Sequence, residues 1–189
     1  MKSDFYDADS SADGNEYLKR VMKKWPNVPK VFGWLKLNRK GEWLIKNQSI
    51  SHRRLKKFLD GHYYSDRNGS WFVQNGPQRV FVELEYTPYI LRINNNVTIS
   101  TNNGLKVSHI KSFVQDELGN ILISTNLGLG LVHDKDLFNI AIALDDTIPN
   151  RFTVNWNSFN YFLISSHSKK IPNLFKFNPT PQDKSDGNY

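Results

Sequence analysis

The sequence predicts an α+β protein of mostly antiparallel strands with three short helices, in two small lobes that share a repeated strand–turn–helix unit. From residue 69 to 133, apolar and polar residues alternate in short runs separated by Gly-, Pro- and Asn-rich turns, which is typical of strands. Elsewhere apolar residues recur at three- and four-residue spacing, which is typical of helices. Two further segments resemble each other, which indicates a repeated unit.

Three segments are predicted to be helical. The first covers residues 14–25 with Asp13 as its N-cap, the second begins after Ser51 and ends at Gly61, and the third begins after Asp134. The apolar residues that would face the core share helical spacing: Tyr17, Leu18, Val21, Met22 and Trp25, then Leu55, Phe58 and Leu59, then Leu137, Ile140, Ala141 and Leu144.

Turn residues bound the predicted strands. A hairpin is expected around Arg39-Lys40-Gly41, and two late strands are expected in RFTVNW and NYFLISS. The central strands are predicted at residues 70–74, 79–86, 89–93, 97–101, 105–107, 111–116 and 120–125. We expect a disordered acidic lead at 1–12, a first lobe at 13–100, a second lobe at 101–170 and a mobile polar tail at 171–189.

The repeat lies in GEWLIKNQ (41–48) and GNILISTN (119–126), with a further similar segment in GSWFVQNG (69–76). The first two copies each lead through a short connection to a histidine, His52 or His133, at the start of a predicted helix. There the positive end of the helix dipole favours a neutral, hydrogen-bonding imidazole, so capping is expected. A strand–turn–helix unit is therefore predicted twice, and chance similarity of short amphipathic strands is the alternative.

The residue types and motifs that the sequence lacks exclude several kinds of functional site. The 189 residues contain no cysteine, which excludes disulfides, thiolate metal sites and cysteine nucleophiles. No histidine pair has metal-ligand spacing and no nucleophile motif is present, so we expect no metal, no cofactor and no catalytic residues, which favours a non-enzyme. No signal-peptide core and no run of about 18 apolar residues is present, so a cytoplasmic protein without a membrane segment is expected.

The net charge of +7 is distributed unevenly. Residues 19–57 contain thirteen Lys and Arg side chains against a single acid, Glu42. Three tryptophans are interleaved with these cations, which is typical of surfaces that bind phosphates and stack bases. One hypothesis is therefore contact with an anionic partner, a nucleic acid or an acidic protein; the alternative is a solvated surface. The contact residues would be Lys23, Lys24, Arg53, Arg54, Lys56 and Lys57.

The strand at 79–86 places three charged side chains, Arg79, Glu83 and Glu85, on one face. The two carboxylates would lie about 6.6 Å apart, a spacing that suits metal binding or acid–base work, so a hydrolytic enzyme is a further alternative. The other interpretation is a polar sheet face with cross-strand partners such as Arg92. The preceding turn, with Asn75 and Gln78, is a second source of ligand contacts.

A Gly-x-Gly sequence, Gly128 to Gly130, precedes His133 and the third predicted helix. Its backbone amides could receive an anion, as they do at helix N-termini. The sequence lacks the third glycine and the lysine of nucleotide-binding loops, so it predicts no dinucleotide or P-loop site.

Three segments, GEWLIKNQSISHRRLKKFL, GSWFVQNGPQRVFVELEYTPYIL and LGNILISTNLGLGLVHDKDLF, resemble an uncharacterised bacterial family, domain of unknown function 1285, over about residues 32–145. The resemblance implies a two-lobed α+β protein with a ligand-binding role in signal transduction, and it assigns no site residue. We therefore expect a regulatory module that binds an unknown small ligand or protein between its lobes. The expected contacts are Asn75, Gln78, Arg79, Glu83, Glu85, Gly128, Gly130 and His133.

Overall fold

The computed structural model describes residues 23, 29–94, 98–141, 144–145 and 153–183. Its first sheet has six strands in the order β3-β2-β1-β6-β5-β4. They are β1 (Lys30–Leu37), β2 (Trp43–Ile45), β3 (Gln48–Ser49), β4 (Tyr63–Ser65), β5 (Trp71–Asn75) and β6 (Gln78–Leu84). The central pair β1–β6 is parallel and the other pairs are antiparallel, so the sheet is mixed.

The second sheet has eight strands in the order β12-β13-β14-β9-β10-β11-β7-β8. They are β7 (Tyr89–Asn94), β8 (Thr98–Thr101), β9 (Ile110–Gln115), β10 (Ile121–Thr125), β11 (Leu129–Val132), β12 (Leu144–Asp145), β13 (Thr153–Trp156) and β14 (Phe159–Ser165). This sheet is also mixed, because β14 runs parallel to β9 and β11 runs parallel to β7.

Helices occupy little of the described chain. They are α1 (Arg53–Gly61), α2 (Leu137–Ala141) and α3 (Ile171–Leu174), and 3-10 turns at Asp134–Asp136 and Ser168–Lys170 precede the last two. Among the described residues, no helix has the length and apolar character needed to cross a bilayer.

The prediction of an α+β fold with three short helices is wrong, because the described chain is mostly β and is built on two mixed sheets. Its helices also differ from the predicted set, since α3 was not predicted. The predicted helix at 14–25 lies outside the described residues except for Lys23, which is helical and exposed. The predicted third helix begins as a 3-10 turn. Its Asp136 carboxylate is buried and accepts hydrogen bonds from the side chain of Arg92 and the backbone of Ile93 on β7.

The two sheets contain one topology twice. The order β3-β2-β1-β6-β5-β4 reappears as β11-β10-β9-β14-β13-β12, with a parallel pair at the centre of each set. We call β1–β6 with α1 the first unit, and β9–β14 with α2 the second unit. In both, a hairpin leads to a histidine-capped helix. The hairpin β7–β8 has no counterpart in the first unit. The segment GSWFVQNG forms β5, which corresponds to β13 and not to β2 or β10.

Tight turns with one shared design connect several strands. In the turn of residues 116–120, the Asp116 side chain accepts hydrogen bonds from the backbone N–H groups two and four residues later, both at 2.9 Å. Gly119 closes the turn with a positive φ of +79°, a conformation that favours glycine. Asn38 and Asp66 begin equivalent turns. A polar residue followed three positions later by Gly is therefore the local signal that fixes these hairpins.

One hydrophobic core runs through both sheets. Where they meet, Trp43, Tyr63, Trp71 and Tyr89 form a chain of ring contacts with centroid distances of 5.2, 4.7 and 5.0 Å. Trp43 is only 1% exposed. These rings fill the space between the sheets at this point, which leaves no open cleft among them.

The chain passes from the first sheet to the second between Leu84 and Tyr89 and later returns. The backbone N–H of Asn178 donates to the carbonyl of Gly69 at 2.9 Å, and the N–H of Leu84 donates to the carbonyl of Pro179 at 2.8 Å. The described part of the predicted tail therefore bonds to the first sheet. The division into lobes at residue 100 stays a prediction.

Candidate functional site

The residues predicted to bind a ligand around the β5–β6 hairpin line neither of the two grooves described below. Asn75 and Gln78 pair with each other at the hairpin end. Arg79 is exposed, and its guanidinium lies 4.7 Å from the ring centre of Phe72 on the neighbouring strand. This contact is a cation–π interaction on the outer sheet face.

The two predicted carboxylates have separate neighbours. Glu83 is half-buried on β6 and pairs in register with Lys36 of β1. Glu85 is exposed, and its carboxylate accepts a hydrogen bond from the backbone N–H of Arg39 at 3.1 Å. Within the described ranges, no three His, Asp or Glu side chains converge in a way that would hold a metal ion.

Gly130 lies within strand β11, and Gly128 lies in the turn just before it, where its backbone N–H is hydrogen-bonded within the turn. Gly130 pairs with Ile123 on one side and with Tyr89 on the other. A Cβ on Gly130 would lie 2.5 Å from the Cγ of Leu91, so close strand packing explains this glycine. The predicted anion-receiving loop is therefore absent from this part of the described chain.

Three histidines cap the three helical segments. The Nδ1 atoms of His52, His133 and His167 accept backbone N–H hydrogen bonds at 3.4, 3.1 and 3.3 Å. The expected capping by His52 and His133 is confirmed. The helix starts predicted after Ser51 and Asp134 are each wrong by one position, because the imidazole takes the acceptor role that Ser or Asp usually fills. The cap at His167 was missed, although this residue lies two positions after the end of β14 and precedes a Lys-rich turn.

A groove lies along α1, and here predicted anion contacts do come together. It has a volume of about 670 Å³. Arg53, Lys56 and Lys57 line it because their spacing places them on one helix face. The lining residues, which we call the anion groove, are Ser51, Arg53, Lys56, Lys57, Asp60, Gly61 and Asn103. Arg54 is not among them, and Lys24 lies outside the described residues.

The residue that completes the anion groove comes from the second sheet. Asn103 lies in the turn after β8, and its side-chain amide donates to the backbone carbonyl of Asp60 at 3.2 Å. The hydroxyl of Thr101 donates to the other end of the same side chain at 2.5 Å, which fixes its orientation. The sequence predicts a turn at this position, but no pattern in the sequence indicates that the turn packs against α1.

One carboxylate, Asp60, lies among the cations of the anion groove. The indole N–H of Trp43 donates to its Oδ1 at 2.7 Å. Burial raises the pKa of Asp60, and the hydrogen bond from Trp43 and the charge of Lys56 oppose that rise. Three cations therefore face one carboxylate that is bonded to the core, so the groove attracts anions.

The rest of the basic segment is not one continuous surface in the described chain. The ammonium of Lys46 lies 3.9 Å from the ring centre of Trp34. Arg39 donates to the side chain of Asn120 at 2.7 Å and covers the ring of Tyr86. Lys46 and Arg39 therefore interact with neighbouring side chains of the protein, and neither lines the anion groove.

Arg39 belongs to a polar network that joins the two units. The hydroxyl of Tyr86 donates to Asp116 at 2.6 Å, and the Asn120 amide donates to the same carboxylate at 2.7 Å. Burial alone would raise the pKa of Asp116, but the hydrogen bonds from Tyr86, Asn120 and two backbone N–H groups outweigh it and lower that pKa. The network therefore holds Asp116 ionised.

The chain matches the model of a family described as "Protein of unknown function (DUF2946)" over residues 15–182, and it belongs to that family. Its fold is similar to that of a DUF1285 family protein from Silicibacter pomeroyi DSS-3, with a TM-score of 0.55 at 10% identity, covering 78% of this chain and 87% of the other. A DUF1285 family protein from Shewanella baltica OS155 matches with a TM-score of 0.44 at 14% identity, over 57% and 90% of the two chains. The resemblance to domain of unknown function 1285 is confirmed as a likeness of fold. No curated protein matches the chain.

Proposed function

We propose that this member of a family without a known function is a module that binds a small anion in the anion groove. The observation that supports the proposal is the convergence of three cations from one helix face with an amide from the second sheet. A ligand held there would contact both the first unit and the hairpin β7–β8 of the second sheet. That arrangement suits a regulatory role, because binding would then act on the contact between them.

The size and chemistry of the anion groove suit a phosphorylated metabolite. Its volume, about 670 Å³, is within the range of roughly 300–1,000 Å³ that is typical of small-ligand sites. Arg53 and Lys57 are exposed and Lys56 is half-buried, so each can reach a bound phosphate. A hydrogen bond to a charged group contributes about 1.5–3 kcal/mol, so each lost cation should weaken binding roughly 10- to 100-fold.

The two alternatives have less support. A nucleic-acid surface needs a continuous basic face, whereas Arg39 and Lys46 have structural partners. Hydrolysis by Glu83 and Glu85 needs two carboxylates aimed at one substrate, whereas Glu85 is exposed and bonded to the turn of residues 38–42.

The test is calorimetric titration at low ionic strength with inorganic phosphate, glucose 6-phosphate and AMP. The double variant Arg53→Gln/Lys57→Gln should lose about 100-fold or more in affinity, since two cations are removed. The matched control, Lys106→Gln/Lys111→Gln, removes the same charge from exposed positions outside the groove and should change affinity less than about threefold.

Three outcomes would count against the proposal. One is no binding of any anion at millimolar concentration, and another is an equal loss in both double variants. The third is loss of binding in Arg79→Ala, which would return the site to the hairpin that the sequence indicated. Tight binding of an RNA oligonucleotide without binding of the small anions would favour the nucleic-acid alternative.

A further inference from the structure

A second groove, separate from the anion groove, lies where the two ends of the second sheet approach each other. One wall is the edge strand β8 with residues 107–110, and the other is the β13–β14 hairpin. Its volume is about 510 Å³. The lining residues, which we call the aromatic groove, are Thr98, Ile99, Val107, Ser108, His109, Ile110, Trp156, Asn157, Phe159, Asn160 and Tyr161. No residue is common to both grooves.

The base of the aromatic groove is apolar and its mouth carries an exposed ring. Ile99, Ile110 and Trp156 are buried, and Tyr161 is half-buried against Phe113 in the core. Phe159 is 67% exposed. A large aromatic side chain left in solvent beside an apolar base provides a surface on which another flat ring can stack.

The described lining of the aromatic groove contains no Asp, Glu, Lys or Arg, although the chain as a whole is strongly charged. Its polar groups are hydroxyls, an imidazole, the indole of Trp156 and two side-chain amides, those of Asn157 and Asn160, which have interactions within the protein. Hydroxyls and a neutral imidazole can each donate and accept a hydrogen bond, which matches the donors and acceptors on the edge of a heterocyclic base. A charged ligand would find no counter-charge among these residues.

We propose that the aromatic groove binds an uncharged heterocyclic ring of the nucleobase or nucleoside class. Phe159 provides the stacking surface, and the hydroxyls and the His109 imidazole of the walls bond to the edge of the ring. Base–aromatic stacking tolerates all four bases, so recognition by class is expected before recognition of one base. The proposal is independent of the anion groove, since a nucleoside carries no phosphate.

The test is titration of the protein with adenosine, guanosine, cytidine and uridine, followed by calorimetry and by tryptophan fluorescence, which Trp156 should report. Phe159→Ala should weaken binding about tenfold or more. The matched control is Phe162→Ala, because Phe162 is 66% exposed on the same strand but does not line the groove. It should change affinity less than twofold. Both rings are exposed, so both variants should keep the thermal stability of the wild type.

A second variant, His109→Ala, removes a polar group from the opposite wall and should also weaken binding. Saturable nucleoside binding that depends on Phe159 and not on Phe162 supports the proposal. It is overturned if no nucleoside binds at 5 mM, or if the two phenylalanine variants lose affinity equally. Loss of nucleoside binding in Arg53→Gln/Lys57→Gln would also overturn it, since that result places the nucleoside in the anion groove.

Discussion

Two glycines with the same backbone conformation differ in what surrounds them, and this difference gives a quantitative test of the fold. Gly69 and Gly119 occupy the same position in equivalent turns, with φ of +77° and +79°. Alanine at either position adopts a left-handed conformation that costs about 1–2 kcal/mol. At Gly119 a Cβ would meet nothing within 4 Å, so Gly119→Ala should cost only that amount.

At Gly69 the same methyl group would collide with the backbone of the returning C-terminal segment. It would lie 2.9 Å from the Cα of Phe177, and it would contact the carbonyl of Lys176 even more closely. Moving that backbone adds an overpacking cost of about 1–3 kcal/mol. It also strains the hydrogen bond from Asn178 to Gly69. Gly69→Ala should therefore cost about 2–5 kcal/mol in total.

Urea denaturation followed by far-UV circular dichroism measures both free energies of unfolding. Limited proteolysis should show faster cleavage after residue 170 in Gly69→Ala and not in Gly119→Ala. Equal destabilisation of the two variants would show that the segment around Phe177 does not pack on the turn of residues 66–70. That result would refute the described return of the chain to the first sheet.

Three further predictions concern the grooves and the junction. Asp60→Asn keeps an acceptor for the indole of Trp43 but removes the negative charge, so anion affinity at pH 7 should rise several-fold in calorimetric titrations. Because burial raises the pKa of Asp60, wild-type affinity should increase as the pH falls through that pKa, and the variant should lack this increase. Tyr86→Phe removes the hydrogen bond to Asp116 and should cost about 1–2 kcal/mol in urea unfolding. Since the pKa of Asp116 is lowered, its contribution is complete above about pH 4 and is lost in more acid solution, so the difference from wild type should shrink there. His52→Ala should cost about 1 kcal/mol through the lost cap, and His52→Asn should restore most of it.

The strands were predictable because their signal is local. Alternation placed β5, β6 and β10 close to their observed positions, and the glycines of the five-residue turns marked the hairpin ends. The third helix is shorter than predicted, because Leu144, the last residue of its predicted apolar stripe, lies in β12. That segment begins as a 3-10 turn, Asp134–Asp136, and the carboxylate of Asp136 accepts a hydrogen bond from the backbone of β7. Spacing in the sequence cannot show such a contact between distant residues.

The candidate sites were less predictable, because they depend on long-range packing. Arg53, Lys56 and Lys57 were identified as cations of one helix, and the structure places them around one groove. Their partner Asn103 is distant in the chain, so no pattern connects them. The interpretation of Gly130 rested on the local sequence alone, which is that of an anion-binding loop. Glycine is required there because the side chain of Leu91 on a neighbouring strand packs directly against it.

The duplicated topology explains why the anion groove occurs only once among the described residues. In the first unit, α1 has nine residues and carries the three cations, whereas α2 has five residues and no Lys or Arg. The turn that supplies Asn103 follows β8, and the hairpin β7–β8 has no counterpart in the first unit. The groove therefore forms where the long helix of one unit meets a hairpin added beside the other. Asn103→Ala tests this account, since it should weaken anion binding in calorimetry while Asn102, bonded to the backbone of Ile90, keeps the turn in place. Unchanged affinity would show that α1 alone binds the anion and that the hairpin β7–β8 has no part in the site.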